Sequence, residues 1–334
     1  MKFRTEITPL SLEKKLKLTG KIFLMGSCFS ENIGQKLIEN KFNTLINPYG
    51  VIFNPLSVIQ ILEWILEDKT GDVLEKKLEP FYIQHDEVWY NYHLHSRIAS
   101  QDKNELIKKI KEITHQTYQF LETSDTIILT FGTAFLYKLI TKNEKIPVSN
   151  CHKQSKTLFE KKLIDLETAK TVFDNFIKKI NNFGTEKQII ITVSPVRHLK
   201  EGLVENNVSK SILRVLAHFA SEKFENVVYF PSYELVLDDL RDYRFYESDL
   251  LHPNTQAIDY IWQKFLESSF DDKTQDFLKK WKKISSSLAH KPFFPNRESH
   301  QKFIQKLMLD VEKLEQEFKL NLQKEIKFLK DETL

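Results

Sequence analysis

Five short apolar runs recur along the chain, each bounded by polar or turn-forming residues. They occupy residues 21–25, 43–47, 125–131, 187–195 and 226–231. Their apolar residues are continuous and rich in β-branched side chains rather than alternating with polar ones. That pattern predicts strands covered on both faces, as in a parallel sheet.

Stretches with apolar residues at helical spacing separate these runs. We predict helices over residues 31–41, 55–68, 155–182 and 205–224, with Pro55 in a first turn. The strand–helix alternation predicts an α/β fold with a doubly wound parallel sheet. An insertion rich in Tyr and His, near residues 81–96, has the pattern of a hairpin.

The character of the chain changes after about residue 275. We expect one α/β domain over residues 1–275, followed by a connector and a helical extension over residues 276–334, with the connector irregular over residues 285–300. The end of the chain has apolar residues at steps of three and four, which predicts one long amphipathic helix. These are Phe303, Leu307, Val311, Leu314, Phe318, Leu322, Ile326 and Leu329. The helix either packs on its own domain or forms a coiled coil in a homodimer.

Composition and charge narrow the function classes. Hydrophobic residues make up 41% of the chain and Phe contributes 25 residues, enough for a sizeable core. A net charge of +3 without a basic, aromatic stripe argues against nucleic acid as a partner. No run reaches the length of a membrane span, and two cysteines form no disulfide framework, so we expect a cytoplasmic protein without a membrane partner.

Cofactor and metal motifs are missing from the sequence. It contains neither GxGxxG nor GxxxxGK[ST], so no nucleotide cofactor is expected. Cys151, His152 and His252 could be read as metal ligands. They lack CxxC or HxxxH spacing, however, and we predict no metal.

Residues suited to catalysis follow the predicted strands, where sites of doubly wound sheets form. The first strand leads into Gly26, Ser27 and Cys28, the third into Gly132 and Thr133, and the fourth into Arg197 and His198. Beyond the fifth, Asp249 precedes His252 by three residues. A carboxylate at that spacing orients an imidazole, which can then take a proton from a nucleophile. The same spacing also occurs in turns where the carboxylate only caps a helix.

Six blocks of the chain, in order, resemble the GSCFA family: GSCFSENIG, NPYGVIFNP, TFGTAFLY, NCHK, SPVRH and RDYRFYESDLLHPN. They cover roughly residues 20–265, and Ser30 replaces the alanine of the family's name. The family looks like a branch of the SGNH/GDSL hydrolases. That resemblance implies a flavodoxin-like three-layer sandwich with a nucleophile after the first strand, His252 as the base and Asp249 as its partner.

The resemblance also implies an oxyanion hole. Its donors would be the N–H of the nucleophile, the N–H of Gly50 and an asparagine amide after a middle strand. The sequence departs from the pattern there, because Thr133 stands where Gly-x-Asn is expected. Asn150, from another loop, or Thr133 itself is a candidate to assist in its place.

The identity of the nucleophile stays open between two neighbours. Aligned without a gap, GSCFS places Cys28 at the nucleophile position, and a slip of one residue places Ser27 there. A helix N-terminus lowers the pKa of a thiol, which favours Cys28. A free cysteine is also often a small buried side chain without chemistry.

The remaining candidates would bind substrate. Arg197 and His198 suit a carboxylate or phosphate, unless Arg197 pairs with a structural acid such as Asp239 or Asp242. His152 and Gly132 are further substrate-binding candidates. The histidines of the insertion, His85, His93 and His95, could cover a cleft or face solvent.

These features predict a hydrolase or acyltransferase that acts on an ester or related acyl bond. A small-molecule or glycan acyl substrate is expected, such as an acylated carbohydrate or cell-envelope precursor. The alternative is an inactive SGNH-fold scaffold that holds a partner with its cleft and tail helix. The altered oxyanion block favours that alternative, and the Asp249–His252 pair argues against it.

Overall fold

The computed structural model describes residues 4–290 and 297–331 and divides the chain into two compact units, residues 1–268 and 269–334. Its described strands are β1 Lys21–Gly26, β2 Asn43–Ile46, β3 Tyr82–His85, β4 Val88–Asn91, β5 Thr126–Phe131, β6 Phe135–Ile140, β7 Lys145–Val148, β8 Phe159–Leu163, β9 Gln188–Val193 and β10 Val227–Tyr229. The first unit contains all of them.

Helices follow most of these strands. They are α1 Cys28–Glu39, α2 Pro55–Leu66, α3 Asp72–Leu78, α4 Lys103–Glu122, α5 Leu166–Asn181, α6 Gly202–Lys223, α7 Ser232–Glu234, α8 Thr255–Ser269, α9 Asp272–Leu288, α10 Glu298–Phe318 and α11 Gln323–Asp331. A π-helical turn, Leu235–Leu240, continues α7. No helix in the described parts of the chain combines the length and apolar character needed to cross a bilayer.

Five strands form the central sheet in the order β10-β9-β5-β1-β2, and every pair is parallel. The predicted α/β fold with a parallel sheet is thus confirmed. β5 and β9 are buried along their whole length, as their continuous apolar runs predict. Gly26 of β1 lies level with Thr130 of β5, and Thr130 with Thr192 of β9. The carboxyl ends of these three strands therefore meet at one edge.

Gly26 marks the turn from β1 into α1. Its φ of +145° is disfavoured for other residues, and a Cβ there would lie 2.1 Å from the Thr130 carbonyl oxygen. Its N–H donates to the Asn47 side chain at 2.8 Å. Only glycine allows β1 to lie this close to β5 and then turn into the helix.

A second, antiparallel sheet, in the order β7-β6-β8, lies outside the sequence prediction. The helix expected over residues 155–182 is wrong in its first part, where Phe159–Leu163 forms β8 and α5 begins only at Leu166. Five residues are too few to display a strand period clearly beside a long helical pattern. The insertion near residues 81–96 contains the antiparallel pair β3–β4, with Tyr82 opposite Asn91.

The second unit is helical, as its pattern predicts, but the tail is two helices rather than one. Lys319 adopts φ +54° and ends α10, and α11 starts at Gln323. The Glu315 carboxylate accepts the Leu322 N–H at 2.8 Å, which fixes this break. The irregular connector predicted over residues 285–300 is also partly wrong, since α9 reaches Leu288 and α10 begins at Glu298. Residues 291–296 of that connector lie outside the described part.

Candidate functional site

A cleft of about 600 Å³ opens at the carboxyl edge of the central sheet. It brings together most of the residues singled out from the sequence: Ser27, Cys28, Gly132, Thr133, Asn150, Arg197, His198 and His252. The turns after β1, β5 and β9 and the turn at residue 252 thus share one cavity. A larger depression of about 990 Å³, beside residues 7–14, contains none of the predicted residues.

Ser27 and Cys28 are adjacent but differ in exposure and bonding. Ser27 is 1% exposed, and its Oγ accepts the Phe29 N–H at 3.3 Å as the N-cap of α1. Cys28 is the first residue of that helix and its side chain is partly exposed. The serine hydroxyl is therefore used in capping, whereas the thiol is a free cysteine in the cleft.

The thiol of Cys28 is held mainly in its neutral form. Burial raises its pKa, and the carboxylate of Glu31, one turn along α1, raises it further. The N–H groups of Cys28 and Phe29 and the ammonium of Lys210 act in the opposite direction. Because burial and Glu31 prevail, the thiol needs a base to become a nucleophile.

Asp249 and His252 form the pair that their spacing suggests. The Asp249 Oδ2 lies 2.6 Å from His252 Nδ1, and its Oδ1 accepts the N–H groups of Leu251 and His252. These three bonds lower the pKa of Asp249 to about 2, so it is a carboxylate at neutral pH. The bond to Nδ1 selects the tautomer in which Nε2 can accept a proton. His252 lines the cleft, and Asp249 contacts it without being part of the described cleft wall.

The expected oxyanion donors are mostly engaged elsewhere. The Gly50 N–H donates to the Asn47 carbonyl at 2.8 Å, and Gly50 is not part of the cleft wall. The N–H groups of Gly132 and Thr133 both donate to the Phe53 carbonyl, at 2.8 and 3.2 Å. The Thr133 hydroxyl lies 3.1 Å from Ser209 Oγ, behind the cleft wall.

Asn150 and His152 have different surroundings although they lie in one loop. Asn150 lines the cleft, and its Oδ1 accepts the His152 N–H at 2.9 Å. His152 is buried, with Nε2 2.7 Å from the Asn91 carbonyl and Nδ1 3.1 Å from Ser96 Oγ. Its ring therefore anchors the loop to the β4 end, and within the described residues it is absent from the cleft wall.

Arg197 and His198 follow β9 and both line the cleft. The Arg197 guanidinium lies over Tyr246, 4.3 Å from its ring centroid, and 5.2 Å from that of Tyr243. His198 Nδ1 lies 3.5 Å from Glu201, while burial and then the charge of Lys210 lower the pKa of His198. Both groups are thus fixed on one wall of the cleft.

The three histidines of the insertion have three different environments. His95 lines the cleft, and burial lowers its pKa. His93 is 1% exposed and contacts the rings of Trp64 and Phe81, with centroids 5.1 and 4.4 Å away. His85 lies at the hairpin end and is about half exposed.

Lys210 is a site residue that the sequence reasoning did not identify. It is fully buried, and its Nζ donates to the carbonyls of Gly132 and Ser194 at 2.6 and 2.7 Å. Burial lowers its pKa to about 7. The signal was present, because Lys210 falls on the inward face of α6 in step with Asn206, Leu213 and Ala217.

The Glu31–Arg97 pair also went unrecognised in the sequence. Their side chains meet at 2.6 Å beside Cys28, and Arg97 donates to the Asn47 carbonyl at 3.1 Å. The two residues are 66 positions apart, so no local pattern joins them.

Comparison with known proteins extends over both units of the chain. The GSCFA family model matches residues 21–265, and a model described as GSCFA domain protein, C-terminal domain, matches residues 281–333. The tail outside the six sequence blocks is therefore matched as well. No curated protein matches the chain.

Proposed function

The chain belongs to the GSCFA family, and on that premise we propose that it is an enzyme of acyl transfer. It opens an ester or related acyl bond in the cleft beside α1, as a hydrolase or an acyltransferase. The SGNH/GDSL hydrolases, which the motifs resemble, supply the reaction class. The observation that carries the proposal is one shared cavity, which contains the partly exposed thiol of Cys28 and the carboxylate-oriented imidazole of His252.

Cys28 is the proposed nucleophile. Both residues line the cleft, but the Cys28 side chain is partly exposed, whereas Ser27 is buried and its hydroxyl caps α1. The raised pKa of the thiol fits this role when a base lines the same cavity, because the proton then leaves during attack.

The reaction has two steps. His252 Nε2 takes the thiol proton while Cys28 Sγ bonds to the acyl carbon, and the departing alkoxide leaves with that proton from His252. Water or an acceptor hydroxyl then attacks the thioester, gives its proton to His252, and releases the Cys28 thiol as the C–S bond breaks. Asp249 stabilises the imidazolium that forms in both steps.

Oxyanion stabilisation in this scheme comes from the Cys28 N–H and from Asn150. The first sits at the N-terminus of α1, where the helix dipole favours negative charge. The second presents an amide at the cleft wall, with its Oδ1 already bonded to His152. We propose an acylated carbohydrate or cell-envelope precursor as the substrate and a cytoplasmic location.

Single substitutions test the proposal on short-chain aryl esters and thioesters. Cys28→Ala and His252→Ala are expected to lower kcat/KM by at least about 10²-fold, and Asp249→Asn by a smaller factor. Ser27→Ala keeps the thiol and is expected to cost mainly about 1 kcal/mol of unfolding free energy, as for a lost N-cap. Full turnover by Cys28→Ala, with loss in Ser27→Ala, would assign the serine instead.

A second candidate function has one observation in its favour. The N–H groups of Gly50 and Thr133 are hydrogen-bonded within the fold, so two of the expected oxyanion candidates have their N–H groups occupied. A binding protein that uses the same cleft without chemistry fits that arrangement. It predicts the same slow reaction of Cys28 with iodoacetamide in wild type and in His252→Ala, and no ester turnover in either.

A further inference from the structure

Arg197 is held in the cleft as a pre-ordered cation. Its guanidinium packs over the rings of Tyr243 and Tyr246, and its backbone N–H donates to the Leu251 carbonyl at 3.1 Å. Stacking on aromatic faces fixes the planar fork while its N–H edges stay available for hydrogen bonds. The bond to Leu251 also ties this wall to the turn that carries His252.

The acids that could have neutralised Arg197 have other partners. Asp239 pairs with Arg4 at 3.4 Å and accepts the Tyr260 hydroxyl at 2.8 Å. Asp242 pairs with Arg244 at 3.6 Å. Among residues 4–290 and 297–331, no carboxylate lies within 4.0 Å of the Arg197 guanidinium.

A second cation on this wall, Lys200, also lacks a carboxylate partner among the described residues. Lys200 Nζ donates to the Tyr137 hydroxyl at 2.8 Å rather than to an acid. The other cleft cations are paired, Arg97 with Glu31 and Lys161 with Glu201. The cleft therefore has positive charge in excess, and that excess lies on the wall formed by residues 197–200.

We propose that Arg197, assisted by Lys200, binds an oxyanionic group of the substrate, a carboxylate or a phosphate. The guanidinium fork suits two oxygens of either group, and an unpaired cation in a partly desolvated cleft is stabilised by such a ligand. This inference rests on the proposed function, because it takes the bound molecule to be the substrate of the acyl-transfer reaction. It adds that this substrate is anionic.

Two thiol reagents of similar size test the charge preference without any ester. The rates of Cys28 alkylation by iodoacetate and by iodoacetamide are compared by peptide mass spectrometry, separately from Cys151. Arg197→Gln is expected to lower the iodoacetate rate about five-fold relative to the iodoacetamide rate, as for about 1 kcal/mol of attraction. Arg197→Lys should lower it less, and the control Arg244→Gln, whose side chain is exposed and paired with Asp242, should leave the ratio unchanged.

Competition then identifies the oxyanion. Protection of Cys28 from iodoacetate by inorganic phosphate and not by acetate assigns a phosphate, and the reverse assigns a carboxylate. An alkylation ratio that is the same in wild type, Arg197→Gln and Lys200→Gln overturns the inference, as does the absence of protection by either anion.

The two proposals fail separately in ester assays. The 4-nitrophenyl esters of butyrate and of hemisuccinate differ by a terminal carboxylate. Turnover of both without preference retains acyl transfer and contradicts a carboxylate-binding Arg197. The protein could instead show an alkylation ratio that depends on Arg197 but turn over no ester. That result would support the anion site and contradict the proposal that the protein is an enzyme.

Discussion

At the scale of single residues, the adjacent side chains of Ser27 and Cys28 at the start of α1 have different roles. Ser27 satisfies a helix N–H, and Cys28 stands in the cleft at the first helical position. The Gly-Ser-Cys order places a nucleophile candidate at the sheet edge because Gly26 permits the tight turn. The sequence alone could not resolve whether the Ser27 hydroxyl or the Cys28 thiol is available to attack a substrate, because that depends on which of them caps the helix.

Besides burial, which raises the pKa of Cys28 most, two oppositely charged neighbours act on it, and their removal should shift it in opposite directions. Glu31→Gln removes a negative charge that raises this pKa, so the thiolate fraction and the iodoacetamide rate at pH 7 to 8 should rise. Lys210→Met removes the positive charge that Lys210, with its pKa of about 7, carries in part near pH 7, so both should fall near pH 7 and change less at pH 8. The pH dependence of alkylation, followed on the Cys28 peptide, measures each shift.

Glu39→Gln is the matched control, because Glu39 is an exposed acid at the other end of α1 from Cys28. Its alkylation profile should coincide with that of wild type. Shifts of equal sign in Glu31→Gln and Lys210→Met would contradict the electrostatic description of this site.

At the scale of elements, strand ends and helix starts assemble the site. Parallel pairing brings the ends of β1, β5 and β9 level, and α6 inserts Lys210 between the carbonyls that follow β5 and β9. The antiparallel sheet of β6, β7 and β8 supplies another wall, with Phe135, Tyr137 and Lys161. The cleft is therefore a product of both sheets.

His93, which follows the β3–β4 hairpin, should make the stability of the folded protein sensitive to acid. Both ring nitrogens of His93 lack a hydrogen-bond partner within the described structure, and burial lowers its pKa to about 4. Between pH 6.5 and 4 the unfolded state binds the proton and the folded state does not. The free energy of unfolding should fall, as pH falls through that window, by up to about 1.4 kcal/mol per pH unit from this group.

His93→Phe keeps the ring contacts with Trp64 and Phe81 and removes the proton acceptor. Urea unfolding at several pH values should give the variant a shallower loss of stability below pH 6.5. His218→Gln, at an exposed position on α6, should retain the wild-type slope. The same slope in wild type and His93→Phe would show that His93 is not the acid-sensitive group.

Much of the central sheet was predictable from the sequence, because its buried strands are continuous apolar runs with polar ends. The second sheet was not, because β8 is short and its residues also fit a helical pattern. In the site, residues directly after strands were found by their position. Lys210, Glu31 and Arg97 were missed, since their roles depend on contacts between distant segments.

At the scale of the whole molecule, the tail helices bear on the state of association. Four of the five apolar residues on α10 that suggested a dimeric coiled coil are already covered in the single chain, and the fifth, Phe303, is 38% exposed. Leu307, Val311, Leu314 and Phe318 are each at most 5% exposed. A coiled coil between two chains would need this face uncovered, which favours the interpretation that the tail packs within its own chain.

We therefore predict a monomer. Size-exclusion chromatography with light scattering should give a mass near 39.5 kDa, that of one chain, over a range of micromolar concentrations. Leu309 and Phe303 are exposed apolar residues on α10, and Leu309→Glu should leave this mass unchanged. A mass of two chains that falls to one in Leu309→Glu would instead establish a dimer through α10.

The central claim is that Cys28 attacks an acyl carbon with His252 as its base, and trapping the acyl adduct tests it most directly. The protein is mixed with a 4-nitrophenyl ester, quenched in acid, digested and analysed by peptide mass spectrometry. We predict the acyl group as a thioester on the Cys28 peptide, and its loss in Cys28→Ala and in His252→Ala. An adduct on Ser27, or none on either residue while the ester is consumed, would contradict the account.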